Sequence, residues 1–368
     1  MQTENNSMET QPPNETKLSE FARLLPSPHR MARRSFLRSL GLGAALLTPA
    51  AGVIGAASQA FADGGSTIDH GDGAILRFLA AAELIETDLW QQYTELALGN
   101  DAYREALDQL DEDMPQYIAD NTDDELSHAT FLNAFLHAVG RSGVNLDAFR
   151  ILPNSHATGA VQKGRLTNLQ HLNVDTSWYL RYRSDKNPDF GATFPQFINI
   201  RNRPTIPSHN LPTGSDEMQA IANSAAFHFA AIEQGGTSLY ASLAERVSNP
   251  FVLKVVLGIG GSEVNHFAIW HDKAGNAPAV TVPGVSFPDI ESFDGDETRQ
   301  KNLIMPEPCQ FIDSRLPLCS VIRPTSTSKA GAVAALASLT GSGLFTGQSS
   351  AFFNLMNLLA RLADTAHR

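Results

Sequence analysis

The chain is poor in cysteine, with only Cys309 and Cys319 among 368 residues. A thiolate metal site is excluded, because no third or fourth soft ligand stands near them. Export would permit one bridge across their short separation, although spacing alone does not establish its geometry. A basic surplus is also absent: 27 Lys and Arg stand against 39 Asp and Glu, a net charge of −12. That argues against a nucleic-acid surface and favours solubility and attraction of cations. Beyond the first sixty residues there is no uninterrupted apolar run of spanning length, since Val333–Leu339 is flanked by polar and glycine positions. No Ser/His/Asp nucleophile arrangement can be singled out. The glycines Gly258, Gly260 and Gly261 follow no strand, so phosphate binding is not expected; close approach of a neighbouring helix is the better reading.

What is present is an ample core, with 42% apolar residues, enough for one large domain or two smaller ones. Residues 1–62 read as an export signal rather than fold. Arg33 and Arg34 precede Ser-Phe-Leu-Arg, an Ala/Gly/Leu-rich run from Leu40 to Ala57, and a small-residue site at Ala60-Phe61-Ala62. The paired arginines resemble a twin-arginine (Tat) signal with a long leading segment, and Met31 alone would open a complete one. The expected partner is then the Tat export machinery, and the expected location is periplasmic or secreted. An uncleaved anchor is the alternative, disfavoured by a short, small-residue-rich hydrophobic stretch. The mature part keeps 21 basic and 35 acidic residues, a net of −14. No stable membrane span is expected in it.

The remainder reads as an all-α chain. Ile75–Leu98 has a broad apolar face and ends at Gly99-Asn100; Asp101–Glu112 adds a short acidic helix. Met114–Val139 is a second core helix, with Leu126, Phe131, Leu132, Phe135, Leu136 and Val139 as its apolar stripe. Residues 141–215 are rich in Pro and Asn, with ordered pieces near Leu166–Leu172 and Trp178–Tyr182. A connection that long is uncommon unless it is functional or packs on a partner. Asp216 to about Val247 is the third long helix, and Phe251–Lys273 the fourth, with Pro250 in its first turn. Residues 276–328 are loop-like. The tail from Lys329 to about Ala366 reads as one or two helices broken near Gly341-Ser-Gly343 and packed on the bundle.

Two Glu-x-x-His pairs fall inside apolar helices: Glu125/His128 and Glu263/His266. Residues three apart share a helix face, so both members of a pair can reach one ion. Glu83 and Glu233 interrupt the apolar faces of the other two long helices. The order is therefore single Glu, pair, single Glu, pair, which is the ligand pattern of di-iron and di-manganese carboxylate bundles. Four carboxylates balance two divalent cations, and each His caps one. Without metal they would repel or take up protons. Glu86 is a candidate fifth carboxylate. Trp90 and Tyr240 each lie seven residues beyond a single Glu and are candidates for relaying an electron.

Ala82-Glu83-Leu-Ile-Glu86-Thr-Asp-Leu-Trp90, Asp124-Glu-Leu-Ser-His128, Glu233-Gln-Gly-Gly-Thr237 and Glu263-Val-Asn-His266 resemble the four helix motifs of ferritin-like proteins. The exported, desiccation-related branch is the most similar. The resemblance covers residues 74–140 and 216–275 and implies a ferritin-like four-helix bundle with Glu83, Glu125, His128, Glu233, Glu263 and His266 as metal ligands. It leaves out the insertion 141–215 and the extension 276–368. Within 63–275 it departs at Trp90, where Tyr or Phe is usual, and at Gly236.

The function expected is binding of two Fe ions, with Mn the alternative, and redox chemistry with O2 or H2O2. A catalase-like di-manganese enzyme is a second reading. A non-enzymatic stress or interaction protein, working through the insertion and extension, is a third. A storage cage is disfavoured by those bulky additions, and a homodimer through helix faces stays open. Asp124 is expected at the helix surface, His228 and His271 as satisfied or solvent-facing side chains, and Asp364 with His367 as a solvated terminus.

Overall fold

Four long helices form where apolar stripes are punctuated by capping side chains. The computed structural model describes residues 68–186, 194–301, 306–321 and 330–366. All lie in a unit spanning Ile54–Arg368; a second unit, Met1–Val53, falls outside them, as does the export signal expected from the sequence. Helix α1, His70–Gly99, starts where the Asp69 carboxylate accepts from Asp72 N at 2.7 Å. Asn100 ends it and caps the short α2, Asp101–Asp108, through Tyr103 N at 3.0 Å. Helix α3, Met114–Ala138, tolerates Pro115 in its first turn.

The insertion carries strand β1, Leu172–Val174, helix α4, Ser177–Arg181, and strand β2, Ile200–Arg203. The strands pair antiparallel with a bulge, and Asn202 takes φ 51° there, a left-handed conformation that Asn adopts more readily than most residues. Helix α5, Asp216–Ala244, is capped by Ser215; α6, Pro250–Gly275, is capped by Asn249, which accepts from Phe251 N at 2.8 Å. Strands β3, Val280–Val282, and β4, Val285–Phe287, make a tight hairpin. Helices α7, Ala332–Gly341, and α8, Ser350–Asp364, close the chain.

Helix α1 packs on α3 and α5 packs on α6, giving the four-helix bundle expected from the sequence, with the small hairpins as additions at its side. Helix α6 is long and apolar enough to cross a membrane by length and composition, yet its inward face belongs to the core through Val252, Val256, Phe267 and Trp270.

The apolar stripe expected on α3 is only partly inward. Phe131 is 50% exposed and stacks on Phe135 at 6.1 Å, because it lies off the arc shared by Leu132, Phe135 and Leu136. Asp364 is not a merely solvated terminus: its two carboxylate oxygens accept from Ala332 N at 2.8 Å and Val333 N at 2.9 Å, capping α7. His367 lies outside the described residues. Cys309 and Cys319 are free thiols whose backbones exchange hydrogen bonds of 3.1 and 2.9 Å as an isolated antiparallel pair.

Among the contacts that dock the insertion along the bundle, one buried carboxylate collects several donors, beside the Glu95–Arg165 ion pair and the bonds of Tyr93 and Tyr103 to Thr205. Asp88 on α1 accepts from Arg150 Nη1 at 2.6 Å, Leu166 N at 2.9 Å, Thr167 N at 3.0 Å and Thr167 Oγ1 at 2.8 Å. Gln348, just before α8, then donates to the carbonyls of Phe149 and Leu166, so the C-terminal helices lean on the same segment. Replacing Asp88 leaves Leu166 N, Thr167 N and Thr167 Oγ1 without their acceptor and takes from Arg150 its buried partner, leaving it Asp147 at 3.1 Å. Asp88→Ala should therefore cost about 3 kcal/mol or more in chemical denaturation. Amide exchange at residues 165–167 should accelerate; unchanged stability would show that the insertion is held elsewhere.

Candidate metal centre

The six residues singled out by helix spacing converge in the bundle core. Glu83 comes from α1, Glu125 and His128 from α3, Glu233 from α5, and Glu263 and His266 from α6; all are buried. They form two overlapping quartets. In one, ligand atoms of Glu83, Glu125, His128 and Glu263 lie within 4.8 Å of one another; in the other, those of Glu125, Glu233, Glu263 and His266 do. Glu125 and Glu263 belong to both, so each can bridge two ions while a Glu and a His complete each side.

The donor atoms point inward. His128 Nδ1 lies 3.2 Å from Glu125 Oε2, 3.4 Å from Glu83 Oε2 and 3.6 Å from Glu263 Oε1. His266 Nδ1 lies 3.2 Å from Glu125 Oε1 and 3.3 Å from Glu233 Oε2. Glu83 Oε2, Glu233 Oε2 and both oxygens of Glu263 are buried and accept no well-directed hydrogen bond, although imidazole nitrogens lie near the first two and near Glu263 Oε1. Buried carboxylate oxygens left in this state are costly unless something positive meets them. The residues therefore fit a pair of cations: two quartets of hard oxygen and imidazole donors, oriented toward common points.

Electrostatics shows how the metal-free cluster would stay folded. Burial raises Glu83 to about 8, helped by the Glu125 charge and opposed by His128. Burial likewise raises Glu233 and, more strongly, Glu263. Burial also acts to raise Glu125, but bonds from His128 and His266 outweigh it and hold the group down at about 2. Burial opposes the charge on His128, yet Glu125 and Glu83 raise it to about 10. Protons and imidazolium charges thus occupy the place of metal charge.

Glu86 stands apart. Its ligand atoms fall outside both quartets, but burial and the charges of Glu83, Glu125 and Glu233 push its carboxyl well above the usual range. Tyr240 donates its hydroxyl to Glu83 Oε1. Trp90 touches no ligand by hydrogen bond; it stacks on Trp270 at 5.4 Å. Gly236, a departure from the resemblance, has a steric reason: a Cβ there would lie 2.3 Å from Glu263 Oε2. Gly260 admits Tyr240, whose Cβ would lie 2.9 Å from an added Cβ, whereas Gly258 and Gly261 face open space and serve no close approach.

Two further residues act on the ligands. Asn121 donates from Nδ2 to Glu125 Oε1 at 2.9 Å and to Glu233 Oε1 at 3.0 Å, and accepts from Trp270 Nε1 at 2.8 Å. Its signal in the sequence is a polar side chain four residues before Glu125, on the same apolar face. Asp124 is at the surface as expected, with its side chain 58% exposed, but Oδ2 lies 3.1 Å from His266 Nε2. An acceptor there fixes Nε2–H and leaves Nδ1 for the cluster. His228 and His271 are neither solvent-facing nor ligands. Both are buried; His228 Nδ1 meets the Tyr93 hydroxyl at 2.7 Å, while both His271 ring nitrogens lack partners.

Among protein-family models, that of the ferritin-like domain matches residues 71–276, more than half of the chain. No curated protein and no solved structure matches it.

Two predictions follow from the cluster's chemistry. Glu83 and His128 hold protons in the folded chain that the unfolded chain gives up near 4.5 and 6.5. The metal-free protein should therefore lose stability as pH rises from 6 to 9, while Glu125 acts oppositely only below 4.5. Bound cations replace those protons, so metal affinity should rise across the same window. Denaturant midpoints at pH 6 and 9, with and without metal, check both signs. Separately, Gly236→Ala should displace the Glu263 carboxylate and reduce metal stoichiometry while the helical circular-dichroism spectrum is retained.

Proposed function

Because the chain belongs to the ferritin-like domain family, we propose that it is an exported di-metal protein, with iron the preferred metal, that carries out redox chemistry with O2 or H2O2. Oxidation of Fe(II) is the reaction this reading favours. The observation that supports it most is the sharing of Glu125 and Glu263 between two four-ligand groups. One ion would take Glu83 and His128 as its own ligands, the other Glu233 and His266. Held by these residues, two such ions would supply Lewis acidity and reducing equivalents toward O2 or peroxide.

The chain's own residues set the conditions for that chemistry. The Tyr240 hydroxyl bonds Glu83 and is buried, so it holds a proton beside one metal ligand. Asn121 restrains one bridging and one terminal carboxylate together. Its hydrogen bond from Trp270, and the Trp270–Trp90 stack, line up two redox-capable indoles beside the cluster. Water is limited by the surrounding core, and the exposed Asp124 carboxylate, 3.1 Å from His266 Nε2, borders the cluster. Export through the Tat route rests on Arg33-Arg34 and the small-residue site at Ala60-Phe61-Ala62.

The test begins with the full chain made in a Tat-competent host, processed and purified beside a Glu125→Ala/Glu263→Ala variant. About two iron ions per wild-type chain are expected, and loss of both in the variant. Rapid mixing of Fe(II) with O2 or peroxide should then give oxidation that the variant lacks. Oxygen release from peroxide without net iron oxidation, with manganese bound, would replace the oxidation reading by a catalase-like one. A folded wild-type protein that binds no metal would end both.

A further inference from the structure

Away from the metal centre, the core holds a cation that forms no ion pair with a carboxylate among the described residues. Arg183, two residues beyond α4, is 1% exposed. Its guanidinium carbon sits 3.8 Å from the centroid of the Tyr179 ring, and Nη1 donates to the Tyr179 carbonyl at 3.2 Å. Among the described residues no carboxylate forms an ion pair with it. Asp272 is felt at a distance but is paired with Lys273 at 3.2 Å. Burial lowers the group to about 10, with Tyr179 and Asp272 opposing, so the charge persists at neutral pH.

The unpartnered atoms of Arg183 are Nε and Nη2. These two N–H groups form one edge of the guanidinium and point in parallel, the arrangement that grips both oxygens of a carboxylate. More donors belong to the same cluster. The Trp178 indole Nε1 and both ring nitrogens of His271 are buried without partners. Trp178 and His271 have ring centroids 5.3 Å apart, and Tyr179 and His271 are stacked at 5.9 Å. Burial and the neighbouring Arg183 hold His271 neutral, so it adds an N–H rather than a second charge. A buried charge and orphaned donors among packed rings are each expensive, and an anion on the Arg183 edge answers the charge and its two free N–H groups.

We propose that Arg183 binds a small carboxylate-type anion in bidentate fashion on its Nε/Nη2 edge, with Trp178 Nε1–H and His271 as further donors. The ligand is small, because Arg183 lies on the Tyr179 ring and that ring, Trp178 and His271 pack together in the buried core. A cation is excluded by Arg183 itself. The anion ties α4 of the insertion to α5 and α6, since Trp178 contacts Phe227 at 5.6 Å and Phe267 at 6.0 Å. It does not depend on the reading of the metal centre.

The experiment uses the full processed chain, desalted, with sodium formate as probe and sodium gluconate at matched ionic strength as the bulky control. Formate should raise the thermal midpoint saturably and gluconate should not. Arg183→Met should abolish the formate response and be as stable as, or more stable than, the wild type without formate. Arg183→Lys keeps the charge and loses the fork, so several-fold more formate should be needed for half the shift; this variant serves if Arg183→Met does not fold. Equal responses to formate and gluconate in the wild type, or an unchanged response in Arg183→Lys, would overturn the site.

Discussion

Everything in the centre of this bundle depends on keeping Glu83, Glu125, Glu233 and Glu263 side by side out of water. Four buried negative charges are not tolerated by any bundle without compensation. Two compensations fit these residues and exclude one another: protons with imidazolium charge, or the divalent cations of the proposed function. Most of the unusual local features follow from that constraint. Asn121 restrains two carboxylates, Tyr240 bonds a third, and Gly236 makes room for the fourth. A helix interior otherwise has little use for a glycine, which weakens it relative to alanine.

Much of this was legible in the sequence because helical geometry is local. Glu-x-x-His has one meaning once the surrounding stripe is apolar, and interruptions at Glu83 and Glu233 stand out against leucine, isoleucine and alanine. The caps at Asn100, Ser215 and Asn249 could be read for the same reason. What could not be read were contacts between distant segments. Nothing near Asp124 announces His266, 142 residues away. Nothing near Gly236 announces the Glu263 carboxylate. Phe131 looked like core because it is large and apolar, yet the face it occupies is left half exposed.

The insertion and the C-terminal helices carry the same lesson. Proline and asparagine mark residues 141–215 as irregular, but the fold gives the irregular backbone anchors at Asp88 on α1. Asp364, which reads as a frayed end, closes the N-terminus of α7. His271 and Arg183 were equally opaque. Their significance lies in missing partners, and only tertiary structure can show a missing partner.

The division of ligands between the two halves of the bundle has a consequence for how the protein matures. The first hairpin, α1 with α3, offers only Glu83, Glu125 and His128; the second, α5 with α6, offers only Glu233, Glu263 and His266. Each quartet draws on both, so neither half alone can present four ligands. The halves are separated along the chain by the whole insertion. On the proposed function, tight metal uptake would report that distant parts of the chain have met in the correct register. Nascent or half-folded chains would then be weak competitors for the ion, and an occupied centre would mark completed assembly.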